Sequence, residues 1–385
     1  MITYINGPSN YIKLQGKINN IEKIIIIYYD NLENMNENKK CKNNSIDIDK
    51  YLINLFKSSN NYIDFFIEVN KDIVNINNNN NDNYNENQTY YSKLELFFKY
   101  EFNKNNKKYP FLRLHWNDIS SNNFIFKTIS LSIYTQLLTN ISIINNLINE
   151  NKFSIMNGFN FNISFLNTLL NNIYQIKNNI NIFNNILNVE NNDTKKNDSK
   201  NNDVYNYTLN FIKKIKFRYN NKNIIHIINP YFDIINNHII LINNKINYII
   251  KKLNKYIKYY NDNIHYKINI FPFYDNLPNL LFKIINKLTK IYYIINIINN
   301  ILNDIYTIRR ILDKDYITNS FIYSNSNILI NYLYSFVKLF NFKITDISYS
   351  EYSIDDLDTK IKKIKLNNKY QYYTAKLLDI YKLNN

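Results

Sequence analysis

Glycine occurs three times in 385 residues, at positions 7, 16 and 158, and alanine once, at Ala375. An average chain of this length carries roughly 27 glycines. Three scattered glycines cannot form a glycine-rich phosphate loop, so nucleotide sites of that kind are excluded. The dominant residues, Asn, Ile, Lys and Tyr, have codons rich in A and T, while the missing ones have codons rich in G and C. An AT-rich genome accounts for this bias, so no lysine, asparagine or tyrosine marks a site by abundance alone.

The chain is long enough to bury one large domain or two ordinary ones, and its 45% hydrophobic content is that of a globular protein. A net charge of +16 would ordinarily point to a polyanionic partner. That charge rests on lysine, with only Arg113, Arg218, Arg309 and Arg310 able to present the bidentate fork used on phosphates and guanine edges. One cysteine, Cys41, rules out an internal disulfide and a multi-cysteine zinc cluster, and fits a reducing compartment. Met1 to Gly7 does not read as a secretory signal. The longest apolar candidate, Ile291 to Leu302, is broken by Asn296, Asn299 and Asn300, so no membrane span is expected.

Lys23 to Asp30 reads as a strand buried on both faces, residues 46–57 as an amphipathic helix, and Ile63 to Val69 as a second strand. Strand, helix and strand with short joins make a βαβ unit with parallel pairing. Phe111 to Trp116 reads as a third strand, after a low-complexity loop carrying the run Asn77 to Asn81. Helical spacing follows over residues 123–151 and 163–189, and residues 190–203 form an apolar-free linker. Ile224 to Ile228, around His226, reads as a fourth strand before Pro230. Residues 231–260 and 280–312 are helical, the latter as one helix or two, with a turn region at Pro272 and Pro278. A short strand at 321–323, a helix at 327–340, a strand at 342–347 and a basic amphipathic tail complete the chain.

These elements predict an α/β fold: a mostly parallel sheet built from both chain ends, with a large helical insertion. The expected organisation is an N-terminal βαβ half over 1–122, a mostly helical insertion over 123–315, and a C-terminal strand–helix–strand with a basic tail over 316–385. Ligands of such sheets sit at the carboxyl ends of the strands. Asp30, Glu68, His115 and Asp118 fall at or near those ends. Glu68, His115 and Asp118 are the candidate catalytic residues, and Asp30, Glu68 and His115 the candidate ligands of a divalent metal. The bland alternative is that acidic residues end strands because loops are solvated, and that a lone histidine in an apolar strand is a hydrogen-bonded core residue.

The order Gly7-Pro8-Ser9, a strand ending at Asp30, Cys41, the helix SIDIDKYL at 45–52 and the strand DFFIEV at 64–69 resembles an uncharacterised family of large DNA viruses, of giant-virus and entomopoxvirus type. RLHWNDI at 113–119, NDIYTIRRIL at 303–312 and FIYSNSNILINYLYSFVKLFNFK at 321–343 extend the resemblance over almost the whole chain. The same order is similar, at fold level, to erythromycin-esterase-like and ChaN-like hydrolases. The viral family's pattern, which those hydrolases share in order, implies a Gly-Asp/Glu-x-His at the end of the first strand and a Gly-x-x-His near the last. Here they align with Tyr29-Asp30-Asn31-Leu32 and Asn325-Ser326-Asn327-Ile328. Leu32 and Ile328 can neither ligate a metal nor move a proton. Asp30, Glu68, His115, Asp118, Asp304 and Arg309 remain.

The resemblance therefore implies a catalytically degenerate viral protein of the infected-cell cytoplasm or the particle. Two alternatives stand beside it: a surviving metal-dependent hydrolase, and a basic nucleic-acid-binding protein. The latter would use Lys245 to Lys258, where five lysines interleave with Tyr248, Tyr256, Tyr259 and Tyr260. A protein partner could dock on the basic tail from Lys360 to Lys382, which would otherwise pack on the sheet.

Overall fold

The computed structural model describes residues 5–6, 10–30, 45–67, 93–94, 96–116, 139, 142, 159–189, 203–263, 271–325, 329–348 and 353–363. They belong to two compact units, one comprising residues 1–122, 219–228 and 302–385, the other residues 123–218 and 229–301.

The first unit holds a six-stranded mixed sheet. Its strands are β2 (Asn10–Ile18), β3 (Ile21–Asp30), β5 (Ile63–Ile67), β6 (Leu112–Trp116), β7 (Asn319–Asn325) and β8 (Lys343–Ile347), in the order β6-β5-β7-β3-β2-β8. The four strands β6, β5, β7 and β3 run parallel, and β2 pairs antiparallel with both β3 and β8. A separate two-residue parallel pair joins β1 (Ile5–Asn6) to β4 (Ile46–Asp47). β3 and β5 flank the expected βαβ helix, α1 (Ile48–Ser58), but β7 from the far end of the chain lies between them.

Side chains alternate across each strand, and both faces are covered. On one face Phe65, Ile67, Phe321 and Tyr323 join Ile48, Leu52 and Phe56 of α1 and Phe97 and Phe98 of a wide helical turn at Phe97–Phe102. Phe65 meets Phe56 edge-on and lies parallel to Phe98, each at 5.2 Å between ring centres. On the other face Ile12, Leu14, Ile25, Ile27, Phe66 and Ile322 are equally buried.

β2 was not expected, although Ile12, Leu14 and Ile18 alternate with Lys13, Gln15 and Lys17 as a half-buried strand should. It joins β3 through a two-residue turn, Asn19-Asn20, with both residues at positive φ (52° and 64°). Such a turn normally takes Asn-Gly. Asn341, at φ 55°, does the same service before β8. Among the described residues, all three positive-φ residues other than glycine are asparagine, a side chain that tolerates this region.

Among the described residues four long helices follow: α2 (Phe159–Leu187), α3 (Asp203–Phe217), α4 (Lys222–Asn263) and α5 (Phe271–Asp313). The strand expected at 224–228 is instead the first turns of α4. A five-residue apolar run fits either element. The longer pattern decides: Ile224, Ile228, Tyr231, Ile235, Ile239, Ile242, Ile246, Ile249 and Leu253 are buried at helical spacing, and Pro230 is tolerated inside. Pro272 and Pro278 likewise lie within α5 rather than in a turn, and residues 280–312 belong to that single helix. After β7 come α6 (Leu329–Leu333), a wide turn at Tyr334–Leu339, β8 and α7 (Ile354–Lys363). The helix expected over 123–151, apart from residues 139 and 142, and the tail beyond 363 lie outside the described residues. Among the described residues, no helix is long and apolar enough to cross a membrane.

Candidate functional site

The register puts Ile25, Ser320, Asp64 and Arg113 side by side across β3, β7, β5 and β6, with Ile27, Ile322, Phe66 and His115 two residues further on. Asp64 and His115 therefore project from the same face of the sheet, on neighbouring strands. Asp64 has no solvent exposure. A carboxylate there must be paired to stay charged. Arg113 supplies the pair: its Nε donates to Oδ1 at 2.9 Å and its Nη2 to Oδ2 at 2.6 Å. The same Nη2 donates to the Tyr316 carbonyl at 2.8 Å. The guanidinium lies against the rings of Tyr62 and Tyr316, 4.6 and 4.8 Å from their centres.

His115 completes the cluster. Its Nε2 lies 2.7 Å from Asp64 Oδ1, and its ring stacks on Phe66 at 4.4 Å. Burial pushes the imidazole pKa down; the hydrogen bond to Asp64 opposes this, while the charges of Arg310 and Arg113 reinforce it. At neutral pH the ring is uncharged. Since the carboxylate can only accept, Nε2 carries the proton and Nδ1 is the basic atom. An aspartate that orients a histidine is half of a general-base device. Here, however, Arg113 already balances the carboxylate charge, so Asp64 has little left with which to stabilise an imidazolium.

Other ionic groups lie in this unit. Lys23, 1% exposed, donates to the carbonyls of Lys314 and Ile317 at 2.9 and 2.6 Å. Burial pulls its pKa down to about 8, against the charges of Asp315, Asp64 and Asp313. Asp304 accepts from Asn331 Nδ2 at 2.8 Å. Asp313 accepts from the backbone N–H groups of Asn220 and Asn221 at 2.6 and 3.1 Å, which ties the start of α4 to the end of α5. Arg309 lies 3.8 Å from Asp313 and over the Tyr219 ring, so it serves this junction, and Arg310 is the one whose charge reaches His115.

Of the residues expected from sequence, His115 is placed in full. Asp30 ends β3, level with Asn325, but its side chain lies outside the described residues, as do Glu68, Asp118 and Cys41. The carboxyl ends of β3, β7, β5 and β6 do share one edge, from which the chain leaves at Asp30, Asn325, Ile67 and Trp116. One residue inside that edge lies His115. Asp30 lies three strands across and three residues along from it, about 17 Å by ordinary sheet spacings. Two side chains and one ion do not span that separation. His226 and His238 lie on α4, in different units. Among the described residues no group of three His, Cys, Asp or Glu side chains could hold a metal ion.

Asp64 and Arg113 were missed. The sequence cue was a lone carboxylate inside an otherwise apolar strand and an Arg-x-His alternation in the next, which puts Arg113 and His115 on one face; the register adds Asp64 to them.

The chain is similar to uncharacterised proteins of Acanthamoeba polyphaga mimivirus. One is 28% identical over 94% of this chain and 92% of its own length, and another 26% identical over 94% and 90%. A third is 37% identical over 30% of this chain and 72% of its own length. No solved structure matches. The model of a family of unknown function, DUF5847, matches residues 3–380, and the chain belongs to that family.

Proposed function

We propose that this is a catalytically degenerate α/β protein of a large DNA virus, in which the Asp64–Arg113–His115 cluster locks the sheet instead of performing chemistry. The observation that carries this reading is that both oxygens of the buried Asp64 carboxylate are taken, one by Arg113 and the other by Arg113 and His115 together. Arg113 thus already offsets the carboxylate charge that a general-base His115 would draw on to stabilise its imidazolium. Replacement of the two motif histidines by Leu32 and Ile328 supports the same reading from the sequence side. The helical unit is then an insertion between the two chain ends that build the sheet. The protein acts in the infected-cell cytoplasm or the particle, through binding.

The test is elemental analysis of the purified protein beside a Glu68→Gln, His115→Gln variant, with turnover measured on ester and phosphoester substrates under added divalent metal. Absence of stoichiometric metal and of metal-dependent turnover is the expected result. Stoichiometric metal that disappears in the variant would overturn this reading in favour of a metal-dependent hydrolase that uses Glu68 and His115.

A further inference from the structure

The second unit carries a charge pattern that the first does not explain. Within it, α4 runs from residue 234 to 261 and α5 from 276 to 301 without a single acidic residue. At the chain's frequency of 31 acidic residues in 385, about four would fall in two such stretches. AT-rich drift explains abundant lysine. It does not explain missing acid, because Asp and Glu remain frequent elsewhere in the same chain.

The lysines are also ordered in space. Leu241, Lys245, Tyr248, Lys252, Lys255 and Tyr259 recur at alternating spacings of four and three, which places them along one face of α4. Ile242, Ile246, Ile249 and Leu253, each one residue further on and so about 100° around the helix, are buried. On α5, Lys283, Lys287 and Lys290 follow the same spacing. The two rows face each other: Lys287 Nζ lies 5.0 Å from the centre of the Tyr248 ring and Lys252 Nζ 5.6 Å from it. Lys245 sits close enough to Lys287 and Lys290 for their charges, after burial, to depress its pKa. Tyr248 and Tyr259 remain 36% and 49% exposed. Lysines gathered against one another around exposed tyrosines cost stability in the free protein, a cost that an anionic ligand removes.

We propose that the Lys245–Tyr259 face of α4, together with Lys283, Lys287 and Lys290 of α5, binds single-stranded nucleic acid. The lysines follow successive phosphates as point charges, and the tyrosine rings offer surfaces for unpaired bases to stack on. Lys245 to Tyr259 spans about 21 Å of helix, enough for three or four nucleotides. Four arginines in the whole chain, none of them on this face, leave no fork for reading base edges, so the binding is indifferent to sequence.

The test is fluorescence anisotropy of the full chain with labelled 20-nucleotide oligo-dT and oligo-U from 25 to 300 mM salt. A Lys245→Ala, Lys287→Ala, Lys290→Ala variant should lose tenfold or more in affinity at 50 mM salt. Its salt slope should fall by about two, at roughly 0.7 per phosphate contact. Tyr248→Leu should weaken binding with the slope unchanged, and Lys177→Ala and Lys213→Ala, elsewhere in the same unit, should change nothing. The triple variant relieves repulsion, so its thermal midpoint should equal or exceed that of the parent, which separates lost binding from lost folding. No binding at 25 mM salt, an unchanged slope in the triple variant, or binding to phosphatidylserine vesicles without binding to either oligonucleotide would overturn the proposal.

Discussion

A methyl group added to Gly16 would lie 2.6 Å from the ring of Phe342. Gly16 sits on β2 opposite Lys23 of β3, and Phe342 enters β8 with its ring against Phe336 at 5.7 Å. Its nearest ring atom is Cγ, at the root of the side chain, so the ring cannot swing aside cheaply. In a chain depleted of glycine, this one occupies a position where any Cβ collides. Gly16→Ala should destabilise the sheet unit by about 1–3 kcal/mol, the usual cost of overfilling a packed interior. Urea denaturation checks it, and Phe342→Leu in the same chain should recover part of the loss. An unchanged midpoint in Gly16→Ala would mean that the strand moves freely here.

The asparagines at positive φ make a second prediction. Asn19-Asn20 close the β2–β3 hairpin, and the Asn19 side chain accepts from Asn221 Nδ2 at 2.9 Å. Asn20→Gly should hold or raise stability, because glycine adopts this conformation without steric cost. Asn20→Val should lower it by about 1–2 kcal/mol, the penalty of the left-handed region for a β-branched residue. Paired denaturation curves decide, and equal curves for Gly and Val would show that the turn does not hold its residues in that region.

Among the described residues, Asp64 is the one carboxylate paired with both Arg113 and His115. Asp64→Ala leaves the Arg113 guanidinium and the His115 Nε2–H facing a vacated oxygen site between strands. Breaking a buried pair by removing one partner costs about 3–5 kcal/mol. Replacing all three by apolar residues of similar size (Asp64→Leu, Arg113→Met, His115→Phe) should recover most of that, since no charge is then left uncompensated. A triple variant as unstable as Asp64→Ala would show that the cluster does more than neutralise itself.

The sheet was largely legible because its strands are short apolar runs between charged ends, and α1 because its buried positions, Ile48, Leu52 and Phe56, recur at helical spacing. β2 escaped because its turn lacks the Asn-Gly signal, Asn19-Asn20 being inconspicuous among so many asparagines. The start of α4 was misread because isoleucine dominates both kinds of element in this chain, so the β-branching of Ile224 to Ile228 carried no information. At the site, His115 was visible as a polar residue in an apolar strand. Its partner Asp64 follows from a register that residue spacing alone does not fix, since one residue of slip would turn the carboxylate to the other face.

His238 yields the last prediction. It is 4% exposed on α4, and neither ring nitrogen has a hydrogen-bond partner among the described residues. Burial alone drives its pKa below the ordinary value of 6.5. In the folded chain the ring therefore stays neutral at pH values where the unfolded chain has bound a proton. Stability from this group is fully present above pH 6.5 and declines as pH falls below it, by at most about 1.4 kcal/mol per pH unit. His115 contributes in the same direction. His238→Leu fills the same space with no unsatisfied nitrogen. It should raise stability at pH 7 by about 1–2 kcal/mol and make the decline between pH 6.5 and 5 shallower. Urea midpoints of parent and variant at pH 7.0, 6.0 and 5.0 test both effects. A less stable variant with an equally steep decline would mean that His238 finds a partner in solution.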